Sequence, residues 1–493
     1  MGDLAASIGD SEVSLLHYRQ ALRIRRAIGD RGGQAATLGR MADMFAVRGQ
    51  HAKALQQYTQ ALSLLRSLED RRGEAWILSG LGTAYWQSGK LSEALDRLES
   101  TLPIFRSLGD RAGEAVALRR LASVHTDLTS PLRAMTLLRE SHQLSEQLGD
   151  PDGQAESLYQ MARVHAQSGD LRRACEVAEA AVLLTERQRS RVGSASKRVL
   201  YLAAVRNYYD LLIDLLMQRH RTAPSEGHGT AAFLVSERAR ARSLLETLTE
   251  SGHEIRRGVD PALLERRQSL QKRLEAQTEF LLLGNAYSLT PQEAQAAGRE
   301  LQRLTTEFER VEAAIRTSNA AYAALTQPPA PDLAAIQREI LDENSLLLEY
   351  ALGAERSYLW ALTRSSLASF ELPGRSEIES RVRQFYSLLA AANASRKGEA
   401  ETQRAARLKS AKRQIRESAG ALGRVLLGPV AGQLGGGRLL IVAEGGLQYL
   451  PFAALAEPRE LEKATARTFG AASGAASRNR ELALGFVPNG VAS

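Results

Sequence analysis

A fixed 40-residue spacing across residues 1–190 constrains the fold more than any other feature of this chain. Gly29-Asp30, Glu69-Asp70, Gly109-Asp110 and Gly149-Asp150 recur at that interval, and each pair is followed by a glycine three positions after the aspartate. A second series, Gly49, Gly89 and Gly169, shares the period, with Thr129-Ser130-Pro131 taking the same place in the third unit. Two turns per 40 residues leave room for two helices of about four turns each. One helix pair has too little surface to bury its own apolar face, whereas stacked pairs share a continuous core. The expected architecture of this part is therefore an α-solenoid.

The unit starting at Glu74 shows how the pairs should pack. Ala75, Leu78, Gly82 and Tyr85 line one face of its first helix, and Leu91, Ala94, Leu95, Leu98 and Leu102 one face of its second. Gly82 and Ala94 are small enough for the two helices to approach closely. Gly82, Tyr85, Gly89 and Ala94, with Ala42/Phe45/Ala54, Ala122/His125/Ala134 and Ala162/His165/Ala174 at matching places, resemble tetratricopeptide (TPR) repeats. His125 and His165 replace a packing aromatic, which favours core histidines over ligands, and Cys175 reads as a small buried side chain. The resemblance implies a concave groove lined by the first helix of each unit. Its groove positions fall on Trp76, Ser79, Thr83 and Trp86, then Arg119 and Ser123, then Tyr159 and Arg163, for a protein or peptide partner. Trp and Arg are common binding anchors; the competing reading has the tryptophans packing between units. Gly9-Asp10 keeps the register of Gly49-Gln50, so the first unit is expected to be incomplete.

Residues 191–250 read as solenoid-closing helices, Lys197–His220 and Phe233–Leu248, around an Ala223–Gly229 loop. Glu237 with Arg238, Arg240 and Arg242 reads as a solvated, ion-paired helix face rather than an acid/base site. Residues 251–330 suggest an antiparallel, coiled-coil-like helical hairpin that starts at Pro261 and turns at Gly284–Pro291. Its return helix carries Leu301, Leu304, Phe308, Val311 and Ile315 at alternating spacings of three and four.

After Pro328-Pro329-Ala330-Pro331 the pattern changes to short strands around Leu346–Tyr350, Ser357–Leu362 and Ser369–Leu372, followed by two helices. A strand at Leu439–Ala443, a Gly445-Gly446 turn and a run through Tyr449, Pro451 and Phe452 come next. Glu444, Gly445, Leu447, Leu450, Pro451, Phe452, Ala454 and Leu455 resemble the signature of the CHAT (caspase-like, HetF-associated) domain, which usually follows TPR repeats. Ala443 and Gln448 depart from it, standing where that family usually has Pro and often has His. The resemblance implies a partial, caspase-like α/β domain over residues 331–458, and for complete members a cysteine peptidase with a His base and a Cys nucleophile on later strands. A thiolate nucleophile needs an adjacent imidazole or a similar positive field. Here the only cysteine is Cys175 and the last histidine is His253. The expectation is a mainly α chain whose CHAT module is truncated before its catalytic half, with an irregular tail over residues 459–493, and which is not an enzyme as it stands.

Two functions follow: an interaction scaffold with an inactive CHAT module, or a fragment of a bacterial-type caspase-like cysteine peptidase regulated by its repeats. Lys and Arg number 64 against 56 Asp and Glu, a net +8. The basic pairs Arg25-Arg26, Arg71-Arg72, Arg119-Arg120 and Arg172-Arg173 are scattered and not interleaved with aromatics, which argues against a nucleic-acid partner. One cysteine excludes an intrachain disulfide or a Cys-based zinc site. Gly435-Gly436-Gly437-Arg438 precedes a strand and reads as a turn rather than a phosphate loop, and no His-Glu-x-x-His occurs, so no cofactor is expected. No apolar run approaches the roughly 20 residues of a membrane span. The expected compartment is the cytoplasm, with a signal peptide on a longer parent left open.

Overall fold

Each first helix of the repeat begins on an aspartate whose side chain caps it. The computed structural model describes residues 11–189, 195–251, 259–287, 291–319, 322–323, 332–393, 401–434 and 437–455. The Gly9-Asp10 turn, Thr290, the Pro328–Pro331 boundary and the 459–493 tail lie outside the described residues. Two units emerge: Met1–Leu215 with Ala239–Pro329, and Leu216–Arg238 with Ala330–Ser493. Among the described residues no helix is long and apolar enough to cross a membrane.

The repeats form α1 (Ser11–Ala27), α2 (Arg31–Val47), α3 (His51–Ser67), α4 (Arg71–Gln87), α5 (Leu91–Glu99), α6 (Thr101–Ser107), α7 (Arg111–Asp127), α8 (Pro131–Leu148), α9 (Pro151–Gln167) and α10 (Leu171–Arg189). Carboxylates of Asp30, Asp70, Asp110 and Asp150 accept from the backbone N–H of Gly33, Gly73, Gly113 and Gly153 at 2.8, 2.9, 2.9 and 3.0 Å. Such a cap contributes about 1 kcal/mol. Glycine is required there by close approach: a Cβ at Gly33 would lie 1.9 Å from Asp30 Oδ2, and one at Gly113 2.4 Å from the Phe105 ring. The connector residue before each cap turns left-handed, with φ 73° at Gly29 and 64° at Gly109 and Gly149, but Glu69 does so without being glycine, at 55°. Thr129 takes the glycine position of the inner turn at φ 54°. A β-branched residue in that region is strained by about 1–2 kcal/mol. Thr129→Gly is therefore expected to raise stability by about 1 kcal/mol in urea denaturation; a lower midpoint would contradict the strain.

Small residues set the helix spacing inside a unit, since a Cβ at Gly82 would lie 2.6 Å from Leu98 Cγ. The second helix of that unit, expected to be continuous, is broken at Ser100 into α5 and α6. Pro103 lacks an N–H and its ring crowds the carbonyl four residues back, at Glu99. Buried carboxylates follow the period too. Glu74 takes Arg66 Nε at 2.9 Å and Arg71 Nη1 at 3.0 Å, and Glu114 takes Arg106 Nε at 2.5 Å and Arg111 Nη1 at 3.2 Å.

His125 packs partly buried on α7, and burial, helped by Arg133, holds its imidazole below the ordinary 6.5. The unfolded chain then binds a proton that the fold resists. Stability present above the unfolded pKa is lost as pH falls toward the lower folded value. Thermal midpoints should drop between about pH 7 and 5.5, and less steeply in His125→Phe; equal slopes would remove His125 as the source.

Beyond the repeats come α11 (Ala195–Thr222), α12 (His228–Ser251), α13 (Pro261–Tyr287) and α14 (Pro291–Ser318). Helix α12 starts at His228, inside the expected loop, and α13 runs through Gly284 to Tyr287, so the expected turn begins later. Glu237, Arg238 and Arg240 are half-buried, correcting the expected solvated face; the Arg242 side chain is outside the described set. Helices α13 and α14 are antiparallel, with Arg266 pairing to Glu307 at 2.8 Å and Arg273 to Glu300 at 3.5 Å. Leu270, Leu274, Leu304, Phe308, Val311 and Ile315 form their core.

The second unit contains α15 (Leu333–Glu339), β1 (Ser345–Ala351), β2 (Arg356–Leu362), β3 (Leu367–Pro373), α16 (Arg375–Asn393), α17 (Glu401–Leu426) and β4 (Arg438–Val442). Strand order is β3-β2-β1-β4. The first three strands form an antiparallel meander, and β4 returns parallel to β1, Leu348 opposite Ile441. A parallel return needs a long crossover, which α16 and α17 supply. On one face Leu348, Tyr350 and Leu359 pack with Ile378, Val382, Phe385, Leu422 and Leu426. On the other, Trp360 meets Phe233 at 6.0 Å, and Ser236 Oγ donates to buried Glu349 Oε1 at 2.7 Å. Both faces of β1 are thus covered, as its wholly buried pattern requires.

Candidate functional site

The first helices α4, α7 and α9 carry every predicted groove residue, and the structure divides them. Trp76, half-buried, stands edge-on to Phe105 on the second helix of its own unit, centroids 5.4 Å apart, against a cluster that Ala117 of the next unit joins. Ser79 is fully buried, and its hydroxyl accepts from Arg120 Nη1 at 2.7 Å. Thr83 is half-buried and donates back to the Ser79 carbonyl at 3.0 Å. Trp86, also half-buried, donates its indole N–H to Asp127 Oδ2 of the next unit at 2.6 Å.

Arg119 reaches Ser141 and Ser145 hydroxyls at 3.2 and 3.3 Å. Burial holds its guanidinium below the usual range, with Asp150 and Glu156 pulling the other way. Ser123 is buried and donates to Gln160 Oε1 at 3.0 Å. Tyr159 lies against Tyr208 at 4.8 Å, and burial raises its phenol. Arg163 is half-buried, and its charge opposes that rise. Trp76, Thr83, Trp86, Arg119, Tyr159 and Arg163 remain partly accessible, while buried Ser79 and Ser123 bond to the next unit.

Several polar residues of this strip escaped the sequence reading. Asp43 accepts from the Tyr58 hydroxyl at 2.5 Å. Burial raises the Asp43 carboxyl, with Tyr58 and Arg120 opposing, and burial lowers Arg120. A signal was present: Arg40, Arg120 and Gln160 share the 40-residue period, as do Asp43, Thr83, Ser123 and Arg163. Of the Arg119-Arg120 pair, Arg120 bonds across the unit boundary to Ser79, whereas Arg119 bonds within its own unit to Ser141 and Ser145.

The second candidate is the stretch after β4. Glu444 Oε1 takes Arg375 Nη2 at 3.0 Å, and its Oε2 accepts the Leu352 backbone N–H at 3.3 Å. Arg375 also donates to the Leu352 carbonyl. Gly445 turns at φ 56°, where a Cβ would lie 2.9 Å from Glu379 Oε1. Leu447, Leu450, Phe452 and Leu455 are buried in the unit's core, with Phe452 5.7 Å from Tyr350. Tyr386 donates its hydroxyl to the Tyr449 carbonyl. The motif therefore locks the end of β4 to the β1–β2 turn and to α16. Among the described residues no group of His, Cys, Asp and Glu is arranged to hold a metal ion. Cys175 is 6% exposed on α10.

Residues 33–107 match the tetratricopeptide repeat family model. Among solved structures the chain is similar to BtubC (BKLC) from P. vanneervenii, at 18% identity and TM-score 0.36, covering 51% of this chain and 93% of that one. It is also similar to a set of nearly identical TPR-like repeats from P. anserina, at 15% identity and TM-score 0.32, covering 38% and 92%. A third likeness is to the apo form of RapI, at 12% identity and TM-score 0.38, covering 63% and 95%. No curated protein matches.

Proposed function

We propose that the chain is a protein-interaction scaffold whose repeat groove takes a peptide or helix of a protein partner. The observation that carries this reading is the set Thr83 and Trp86 on α4, Arg119 on α7, and Tyr159 and Arg163 on α9, all partly accessible on successive first helices. The Trp86 anchor is pre-set by the neighbouring unit through Asp127. A side chain already held in place loses less entropy on binding. In a pull-down read by mass spectrometry, Trp86→Ala/Arg163→Glu is expected to lose partners that the unaltered chain enriches. Identical partner lists would count against a groove-based role.

The second unit is proposed to be a CHAT-like, caspase-like module without a catalytic dyad. Support comes from the Glu444–Leu455 stretch and from its place after the parallel strand β4. No Cys or His occurs in residues 331–493, so this module has neither nucleophile nor base of the expected type. Cys175, the remaining thiol, is buried. Iodoacetamide should alkylate it slowly in the folded chain and rapidly in urea. A peptidase activity abolished by that label would overturn the assignment.

A further inference from the structure

Helix α17 carries a patch that neither the groove nor the CHAT-like motif uses. Lys409, Lys412, Arg413 and Arg416 are exposed, and their spacing of three, four and seven puts them on one face. They span about 10 Å of helix axis. Among the described residues the carboxylate paired with this set is Glu417, 4.0 Å from Arg413 Nε. The end of α16 lies alongside, since Arg407 Nη1 donates to the Ala391 carbonyl at 3.1 Å, and Phe385–Asn393 contains no acidic residue. Like charges held this close keep a standing attraction for a polyanion.

The rest of the face selects among polyanions. From Glu401 to Glu417 the exposed residues are charged, Thr, Gln, Ser or Ala, with no exposed aromatic, Leu, Ile or Val. Protein interfaces centre on aromatic and aliphatic anchors and are depleted in Lys. Membrane-surface helices need a free apolar face, whereas the apolar side of α17 (Ala419, Leu422 and Leu426) is buried in the core. Single-strand binding relies on aromatic platforms. Cations flanked by Ser410 and Gln414 match what phosphodiesters take up.

We infer that this face of α17 is a docking surface for the phosphate backbone of a nucleic-acid duplex, without base readout. The scattered basic pairs that argue against a nucleic-acid partner all lie in residues 1–190. These four cations fall within eight residues of one helix, whose turn brings them to one face.

The test is fluorescence anisotropy of the full chain with a short labelled DNA duplex, and a matching RNA duplex, across a salt series. Four phosphate contacts predict a slope of log affinity against log salt near about −3.6. Lys409→Gln/Lys412→Gln/Arg413→Gln/Arg416→Gln should weaken binding at least about tenfold and flatten the slope by about that amount. Arg172→Gln/Arg173→Gln in the repeats should change neither. Lys409→Arg/Lys412→Arg keeps the charge and should keep the affinity, separating charge from folding. Absence of binding to both duplexes at low salt, an unchanged slope in the quadruple variant, or equal loss in the Lys→Arg variant would overturn the inference. So would tighter binding to polyglutamate or to phosphatidylserine vesicles that the quadruple variant abolishes.

Discussion

Phe105→Ala is expected to destabilise the repeats by about 3–5 kcal/mol, the range for emptying a fully buried aromatic site. Phe105 has no exposed surface, and it contacts three helices across two successive units: Trp76 on α4, Gly113 and Ala117 on α7, and its own α6. Collapse around the void is limited because Ala75, Gly113 and Ala117 have no side-chain length to fill it. Solenoid stability is close to a sum of units and nearest-neighbour interfaces. The loss should therefore concentrate at this junction and split a single unfolding transition into two. Urea denaturation followed by circular dichroism measures the total, and hydrogen exchange locates it. A loss under about 1 kcal/mol, or uniform deprotection of all repeats, would mean that the junction repacks.

Gly437→Ala is expected to detach β4 from the second unit, at a cost of about 3 kcal/mol. The added Cβ would sit 1.8 Å from the Asn344 carbonyl oxygen and 2.8 Å from its carbon. These are backbone atoms at the first rung of the β1–β4 pairing, where the Arg438 N–H donates to the Asn344 carbonyl at 2.9 Å. No side-chain rotation relieves that clash. Among the described strands β4 pairs with β1 alone, so it has no second neighbour to hold it. Its release would also free Glu444 from Arg375 and expose Leu447 and Phe452. Amide exchange at Leu439–Val442 and limited proteolysis between Gly437 and Leu455 should both accelerate. Unchanged protection would show that the strand can shift without leaving.

The parts of the fold that were legible in advance depend on neighbours a few residues away. The cap from Asp30 to Gly33 spans three residues, and the left-handed turns at Gly49, Gly89 and Gly169 are single-residue requirements. The break at Ser100 was equally local, but the helical pattern of Leu98 and Leu102 concealed what Pro103 does to it. The groove was legible only as a register. Whether Ser79 faces an open groove is settled by Arg120, 41 residues on, and the setting of Trp86 by Asp127, also 41 residues on.

The sequence by itself determined the period, the helix pairs, their caps and turns, and the absence of Cys and His from residues 331–493. It could do so because composition and short-range hydrogen bonding are properties of the chain before it folds. Tertiary structure alone decided which groove positions stay accessible and that β4 joins β1 in parallel. It also decided that Glu349 is buried against Ser236, 113 residues away. Each of these depends on which surface a distant segment covers, and burial in turn sets the cost of every charge and hydroxyl beneath it.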